Sequence, residues 1–303
     1  MKKVLVIVGP TAVGKSDLAV KLAKKYNGEI ISGDSIQVYK GFDIGSGKIS
    51  LQEQAGVVHH MLDIKEPTDN YSVCEFQEKS RALIADISKR NKLPIIVGGT
   101  GLYIKACLYD YDFIFQPPVD LSKYDKLTNE ELYAILQVQD HASSLKIHPN
   151  NRKRVLRALA YLEAGNPPKS QVIEQQKHEM LYDAYLLGCT MERSKLYARI
   201  NQRVDEMFAN GLLKEVSGLL KKCDFSDQAF QGIGYKEFKG YFNNEYDLER
   251  VKQLIKANSR KFAKRQYTWF NNQMPVMWFD MTDKQAGIFK AIEKWYNNGK
   301  IFR

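Results

Sequence analysis

The sequence predicts an α/β protein in which helices cover both faces of a parallel β-sheet. Short apolar runs occupy residues 4–8, 29–32 and 94–97, as expected for strands that are buried on both faces. Between them, residues 18–26 and 76–90 carry apolar side chains at helical spacing. This alternation is typical of a parallel sheet whose ligand crevice lies at the carboxyl ends of the strands.

A phosphate-binding loop follows the first predicted strand. Its eight residues match GxxxxGK[ST] throughout: Gly9, Pro10, Thr11, Ala12, Val13, Gly14, Lys15 and Ser16. In such a loop backbone N–H groups surround phosphate oxygens, and the helix that follows adds a favourable dipole. We therefore predict a P-loop NTPase-like fold in which Lys15 reaches diphosphate oxygens and the Ser16 hydroxyl binds Mg²⁺.

The acid expected of a nucleotide-hydrolysing P-loop protein is missing from its usual place. Such proteins normally have an Asp that holds Mg²⁺ at the end of an apolar strand. Here residues 94–97 are followed by Gly98, Gly99 and Thr100, and the acid at a predicted strand end is Asp34. Asp34 is a displaced metal ligand, a general base beside the phosphates, or a turn residue that bonds its own backbone.

The middle of the chain predicts a helical insertion. No buried strand is evident there; instead Thr128 and Glu131 have capping-box spacing, and residues 151–165 follow a helical pattern. The length of 303 residues agrees with roughly two domains. The predicted domains are residues 1–112 and 183–303 for the α/β core and residues 113–182 for the insert.

Positive charge is concentrated near the C-terminal end. The chain has 45 Lys and Arg against 35 Asp and Glu, a net charge of +10, and residues 251–303 contribute +8 (eleven basic minus three acidic side chains). A basic stripe at helical spacing comprises Lys252, Lys256, Arg260 and Lys264, widened by Lys261 and Arg265. No acid lies within residues 251–279, so we interpret the stripe as unpaired and suited to a phosphate backbone, the alternative being a solvated face.

Two further patterns accompany the stripe. Apolar side chains suited to the core occupy another face of the same helix: Val251, Ile255, Phe262 and Trp269. A second basic cluster lies on the predicted insert: Arg152, Lys153, Arg154 and Arg157. Together with the stripe, this cluster favours a polyanionic partner.

Several classes of protein are excluded. No run approaches the ~18 apolar residues of a membrane span, and residues 4–8 are too short for a signal peptide. The four cysteines are scattered, which excludes a disulfide framework and a cysteine-rich zinc module. His59 and His60 would point to opposite faces of a strand, so we expect one packed and one exposed histidine rather than a metal pair. We expect a cytoplasmic protein.

Six blocks of the sequence resemble the tRNA dimethylallyltransferase family, bacterial type. Besides the phosphate-binding loop they are residues 34–45 (DSIQVYKGFDIG), 98–103 (GGTGLY), 148–159 (HPNNRKRVLRAL), 232–237 (GIGYKE) and 260–269 (RKFAKRQYTW). The blocks follow the family's order and span nearly the whole chain. A nucleotide kinase would share only the first of them.

The resemblance implies transfer of a dimethylallyl group from dimethylallyl diphosphate to N6 of an adenosine. That base lies 3′-adjacent to the anticodon of tRNAs that read codons beginning with U, and the products are N6-isopentenyladenosine and diphosphate. The implied catalytic residues are Asp34, which takes the N6 proton, Thr100 in the reaction channel, and Arg199 or Arg203. One of these arginines, with Lys15 and Mg²⁺, would neutralise the departing diphosphate.

The resemblance also implies that the insert and the C-terminal region hold the anticodon stem-loop while the target base leaves its stack. The residues implied in tRNA binding are Asp34, Ser35, Ile36, Gln37, Thr100, Lys153, Arg154, Val155, Leu156, Arg157, Gly232, Gly234, Tyr235, Lys236, Lys256, Arg260, Lys264 and Arg265. We expect a monomer without a membrane partner. Although the loop is a nucleotide-binding motif, ATP should compete weakly.

Two alternatives remain open on the sequence. One is prenyl transfer to free adenine nucleotides, which would need the donor loop but neither the insert nor the basic stripe. The other is a P-loop kinase or an RNA-binding NTPase, which would turn over ATP without a prenyl donor.

Overall fold

The computed structural model describes residues 1–111, 113, 119–168, 179–283 and 285–298. The chain forms two compact units, which we call the core unit (Met1–Leu108 and Met180–Arg303) and the inserted unit (Tyr109–Glu179). Parts of the predicted insert, residues 114–118 and 169–178, lie outside the described residues.

Within the described residues, the core unit has a sheet of six strands. They are β1 (Lys3–Val8), β2 (Gly28–Ser32), β3 (His59–His60), β4 (Leu93–Gly98), β5 (Asp183–Thr190) and β6 (Met277–Asp280). The spatial order is β3-β2-β4-β1-β5-β6, and all neighbouring strands are parallel. The predicted parallel sheet is confirmed. Strand β6 was not predicted, because four residues are too few to show a periodicity.

Helices flank the sheet and build the inserted unit. In chain order the described helices are α1 (Lys15–Tyr26), α2 (Leu51–Gln54), α3 (Val73–Lys89), α4 (Gly101–Leu108), α5 (Asn129–Gln139), α6 (His141–Ser144), α7 (Arg152–Glu163), α8 (Arg193–Ala209), α9 (Leu212–Leu219), α10 (Lys239–Phe242), α11 (Leu248–Gln273) and α12 (Ala286–Asn297). None of these described helices has both the length and the apolar character needed to cross a membrane.

The position of β1 fixes the position of the phosphate-binding loop. This strand is central and its residues 4–8 are fully buried. Its last residue, Val8, pairs with Gly98 of β4 on one side and with Gly188 of β5 on the other, while Ser32 at the end of β2 lies beside Val97. The loop, the segment after β2 and the glycines after β4 therefore leave the sheet at one edge.

The inserted unit has a small apolar core of its own. Six buried side chains form it: Tyr124, Leu132, Leu136, Val155, Ala158 and Leu159. The capping box predicted for α5 is present, since the Thr128 hydroxyl accepts from Glu131 N at 3.2 Å and the Glu131 carboxylate accepts from Thr128 N at 2.8 Å. Arg152 donates to the carbonyls of Leu127 (2.6 Å) and Tyr124 (2.9 Å). Arg152 thus stabilises the unit and does not join the exposed basic cluster.

Candidate active site

The phosphate-binding loop is held against β5 by glycine. At Gly9 the backbone has φ +140°, and a Cβ there would overlap the carbonyl oxygen of Cys189. Gly14 has φ +99°, a left-handed conformation that side-chain-bearing residues rarely adopt. The glycines of the motif are therefore required both by the close approach of two strands and by the turn into α1.

Lys15 folds back over its own loop. Its Nζ donates to the carbonyl oxygen of Pro10 at 2.7 Å. Burial lowers the pKa of the Lys15 ammonium to about 8, because removal from water disfavours the charged form; Arg203 adds to the lowering, and Asp34 opposes it. A lysine in this state gains charge stabilisation when an anion binds beside it.

Asp34 follows β2 after Gly33; it forms a turn, and it also lines a cavity. Its Oδ1 accepts from Ile36 N at 2.8 Å and from Gln37 N at 3.2 Å, so the turn role left open by the sequence is real. The same side chain lines a cavity of about 110 Å³ together with Lys15, Ser16 and Arg203. The turn therefore aims a carboxylate at the phosphate-binding loop.

This cavity, which we call the donor cavity, is lined by both polar and apolar side chains. The apolar lining comes from Ala19, Ile30, Ile49, Leu62, Val97 and Phe262. Phe262 is half-buried rather than part of the core as the helical pattern predicted. A wider cleft adjoins the donor cavity, and Lys15, Ser16 and Arg203 line both. The arrangement suits a ligand that has a diphosphate at one end and a small hydrocarbon group at the other.

The structure distinguishes the two candidate arginines. Arg203 Nη2 donates to Gly47 O at 3.2 Å. Burial lowers the pKa of Arg203 and the Asp34 carboxylate opposes this, but the guanidinium stays charged. Arg199 is exposed and lines only the wider cleft, with its Nη2 3.9 Å from the position that a Cβ on Gly14 would occupy. Arg203 is thus the arginine that shares the donor cavity with Asp34.

Thr100 precedes α4 and does not line the donor cavity. Its carbonyl oxygen accepts from Tyr103 N at 3.0 Å and from Ile104 N at 3.3 Å, which begins the helix. The side chain is half-buried. Its implied place in the reaction channel stays a prediction.

Gln266 lines the donor cavity, although no role was predicted for it from the sequence. Its side chain is 5% exposed, accepts from Thr11 N at 3.0 Å and donates to Gly99 O at 3.1 Å. Gln266 therefore ties α11 to the phosphate-binding loop and to the end of β4. The sequence does contain a signal for this role, because Gln266 is a polar residue on the apolar face of its helix.

The histidine pair differs from the prediction. Both rings are half-buried rather than one packed and one exposed. His59 Nδ1 lies 2.9 Å from Val57 O, and His60 Nε2 lies 2.7 Å from the Glu29 carboxylate. In the described part of the chain no group of three or more His, Cys, Asp or Glu side chains could hold a metal ion.

The block around residues 232–235 supports the segment after β2. Tyr235 is fully buried, and its hydroxyl donates to Glu215 at 2.8 Å and accepts from Ser46 N at 3.0 Å. Tyr235 thus supports this segment, and its implied place in tRNA binding stays a prediction. Gly232 and Gly234 belong to the same support: a Cβ on Gly232 would be 2.9 Å from Ile36, and Gly234 has φ +99°.

Several side chains of the basic stripe have partners within the protein. Lys252 Nζ and Lys256 Nζ each lie 2.7 Å from Asp205 Oδ1 on α8, and Arg260 donates to Asn201 Oδ1 at 2.6 Å. The prediction of an unpaired stripe is wrong because an acid from a different helix supplies the missing charge. These bonds also argue against RNA contacts for Lys256 and Arg260. Among the residues of the stripe and those that widen it, Lys261, Lys264 and Arg265 are exposed.

The basic cluster of the inserted unit is sorted by burial. Lys153, Arg154 and Arg157 are exposed, Leu156 is half-buried, and Val155 is fully buried. Val155 belongs to the apolar core of the inserted unit, and its implied place in tRNA binding stays a prediction. RNA binding by the three exposed cations, and by the exposed Lys236 and half-buried Ser35 of the core unit, stays a prediction.

The fold and the cavity define a class of enzymes that bind a diphosphate at a P-loop. In this class, the strand that ends in an acid in nucleotide hydrolases ends in glycine instead. The family model described as IPP transferase matches residues 37–273. The chain belongs to this IPP transferase family.

Similar proteins agree with this assignment. The chain is 52% identical over 284 residues to a tRNA dimethylallyltransferase of Anoxybacillus flavithermus, covering 93% of this chain and 91% of the relative. It is 50% identical over 307 residues to one of Geobacillus thermodenitrificans, covering 99% and 98%.

Solved structures give the same result. A tRNA delta(2)-isopentenylpyrophosphate transferase of Staphylococcus epidermidis has TM-score 0.74 and 41% identity, covering 99% of this chain and 100% of the other. A eukaryotic dimethylallyltransferase acting on tRNA has TM-score 0.84 and 31% identity, covering 97% of this chain and 77% of the other.

Proposed function

We propose that this protein transfers the dimethylallyl group of dimethylallyl diphosphate to N6 of the adenosine 3′-adjacent to the anticodon, in tRNAs that read codons beginning with U. The observation that carries the proposal is the donor cavity, which is lined by Lys15, Ser16, Asp34 and Arg203 together with apolar side chains.

The reaction needs a base and a leaving-group site, and the cavity offers both. The C–O bond to the diphosphate breaks as the bond from N6 to the dimethylallyl carbon forms. Asp34 takes the N6 proton, and diphosphate leaves with the electron pair of the C–O bond. Lys15 and Arg203 neutralise the negative charge that develops on the diphosphate. Because the diphosphate is the leaving group, a strand-end acid for γ-phosphoryl transfer is not needed.

We propose Mg²⁺ as the cofactor, held by the Ser16 hydroxyl and the donor's own diphosphate oxygens. This donor set fits Mg²⁺, which keeps several waters and takes few protein ligands when phosphates are present. Ser16 lines the donor cavity beside Lys15. When bound, the ion would stabilise the charge on the departing diphosphate.

The direct test is incubation of the protein with unmodified tRNA, labelled dimethylallyl diphosphate and Mg²⁺, followed by nucleoside analysis. We expect label in N6-isopentenyladenosine and in no other nucleoside. Equal labelling of free AMP would instead favour an enzyme acting on nucleotides. Rapid ATP hydrolysis with no prenyl transfer would show that the chain is an NTPase.

The lowered pKa of Lys15 makes donor binding depend on pH. Diphosphate binding favours the charged ammonium and raises its pKa above the value of about 8 in the free protein. The donor Kd should therefore be constant below pH 8 and rise above it, approaching about tenfold per pH unit. Calorimetric titration between pH 6.5 and 9.5 checks this. Lys15→Arg, which keeps its charge, should bind more weakly but without this rise; parallel pH profiles of the two proteins would contradict the explanation.

Lys261, Lys264 and Arg265, three exposed cations of α11, are proposed to contact the anticodon stem-loop. Replacing Lys261, Lys264 and Arg265 together with Gln should raise the tRNA Kd and reduce the log–log salt slope by up to about three units, because each phosphate contact releases a condensed counterion. Donor affinity should not change. Filter binding across a salt series measures the slope.

Lys256→Gln is the matched control for this surface. Lys256 lies on the same helix but pairs with Asp205, so its loss should leave the salt slope of tRNA binding unchanged. If Lys256→Gln lowered the salt slope of tRNA binding and the triple variant did not, the RNA-binding surface would instead be the face of α11 that pairs with Asp205.

A further inference from the structure

Glu215, on α9, holds the loop at residues 43–47. Its Oε2 accepts from Ile44 N at 2.7 Å and from Asp43 N at 3.2 Å, and its Oε1 accepts from Gly45 N at 3.1 Å. Three successive N–H groups that converge on one carboxylate form an anion-binding nest. The acceptor that fills this nest comes from a helix about 170 residues further along the chain.

The loop held by Glu215 determines where the Arg203 guanidinium lies. Gly47 has φ +59°, and a Cβ at this position would fall on the guanidinium of Arg203. The carbonyl oxygen of Gly47 accepts from Arg203 Nη2 at 3.2 Å. A shift of the loop would therefore either push the guanidinium away or remove its acceptor.

The same loop also contacts the segment that carries Asp34. Gln37 Nε2 lies 3.4 Å from the carbonyl oxygens of Ser46 and Gly47, while Gln37 N donates to Asp34 Oδ1 at 3.2 Å. The loop thus contacts both the segment that carries the proposed base and the proposed diphosphate ligand. Glu215 itself does not line the donor cavity.

We propose that Glu215 is a positioning residue for prenyl transfer, which acts through the loop at residues 43–47 on Arg203. The inference rests on the proposed function. Charge-assisted bonds to three N–H groups fix the loop more firmly than neutral acceptors would. In Glu215→Gln the amide NH₂ group cannot accept, so part of the nest loses its partner and the loop shifts. A displacement of a charge-stabilising group by about 1 Å can lower the rate up to about 10²-fold.

The test is a double-mutant cycle on the single-turnover rate of prenyl transfer to tRNA. Glu215→Gln alone should lower the rate by about 10- to 10²-fold and leave the tRNA Kd unchanged. Once Arg203→Ala has removed the guanidinium, adding Glu215→Gln should have almost no further effect on the rate. We expect a change of less than about twofold, which is the usual error of a double-mutant cycle. Effects that multiply in the double variant would overturn the proposal, as would a single variant with wild-type rate.

Three measurements keep the test interpretable. Lys214→Gln, on the exposed face of the same helix, should keep the wild-type rate. If Glu215→Gln does not fold, Tyr235→Phe removes one of its hydrogen bonds and should show a smaller loss with the same dependence on Arg203; a loss independent of Arg203 overturns the proposal. Wild-type transfer to tRNA is measured first, so that failure of the proposed function is seen separately.

Discussion

Asp34→Asn is expected to lower the single-turnover rate of prenyl transfer by about 10²–10⁴, the range for removal of a general base. The amide has no basic oxygen to take the N6 proton. It still has an Oδ1 that can accept from Ile36 N and Gln37 N, the two bonds that form the turn after β2. The loop should therefore persist, and tRNA and donor affinities should stay near those of the wild type.

Asp34→Ala provides the comparison, because it loses both the base and the turn acceptor. We expect it to be as slow as Asp34→Asn and less stable to thermal unfolding. Single-turnover rates of Asp34→Asn within threefold of the wild type would contradict a role as base and leave Asp34 as a turn residue alone.

Arg203→Ala is expected to lower the rate by about 10²–10³, comparable with the loss of one preorganised donor from an oxyanion site. The guanidinium lies in the donor cavity with Lys15 and Asp34. Because it is partly buried, it interacts with a departing diphosphate more strongly than it would in bulk water. Rapid-quench kinetics at saturating tRNA and donor isolate the chemical step from binding.

Arg199→Ala is the control for this assignment. Arg199 is exposed and reaches only the wider cleft, so its loss should act on donor affinity and reduce the chemical step by less than Arg203→Ala does. A larger loss of rate from Arg199→Ala would reverse the roles of the two arginines.

The sequence predicted those parts of the site that are local in the chain. The phosphate-binding loop, the turn at Asp34 and the glycines after β4 each follow directly from a buried strand. Because the carboxyl ends of parallel strands share one edge, recognising the strands was enough to bring these segments together. The capping box of α5 was predictable for the same reason, since its two residues are three positions apart.

Pairings between distant segments could not be predicted in this way. Asp205 neutralises Lys252 and Lys256 from another helix, and the periodicity of α11 contains no information about it. Gln266 and Glu215 are likewise defined by backbone N–H groups that lie far away in the chain. A helical pattern specifies which side chains share a face, but the packing of helices against each other decides whether that face meets solvent or a counter-charge.

The contacts of β1 have a consequence for synthesis on the ribosome. This strand is made among the first residues of the chain, but its neighbours in the sheet are β4 and then β5, which ends at Thr190. The phosphate-binding loop that follows β1 receives its bond from Gln266 only later still. Nascent chains must therefore carry an apolar strand without β4 until about a third of the chain is made, and without β5 until nearly two thirds is made. This exposes them to aggregation, and a fold of such long-range contacts forms slowly.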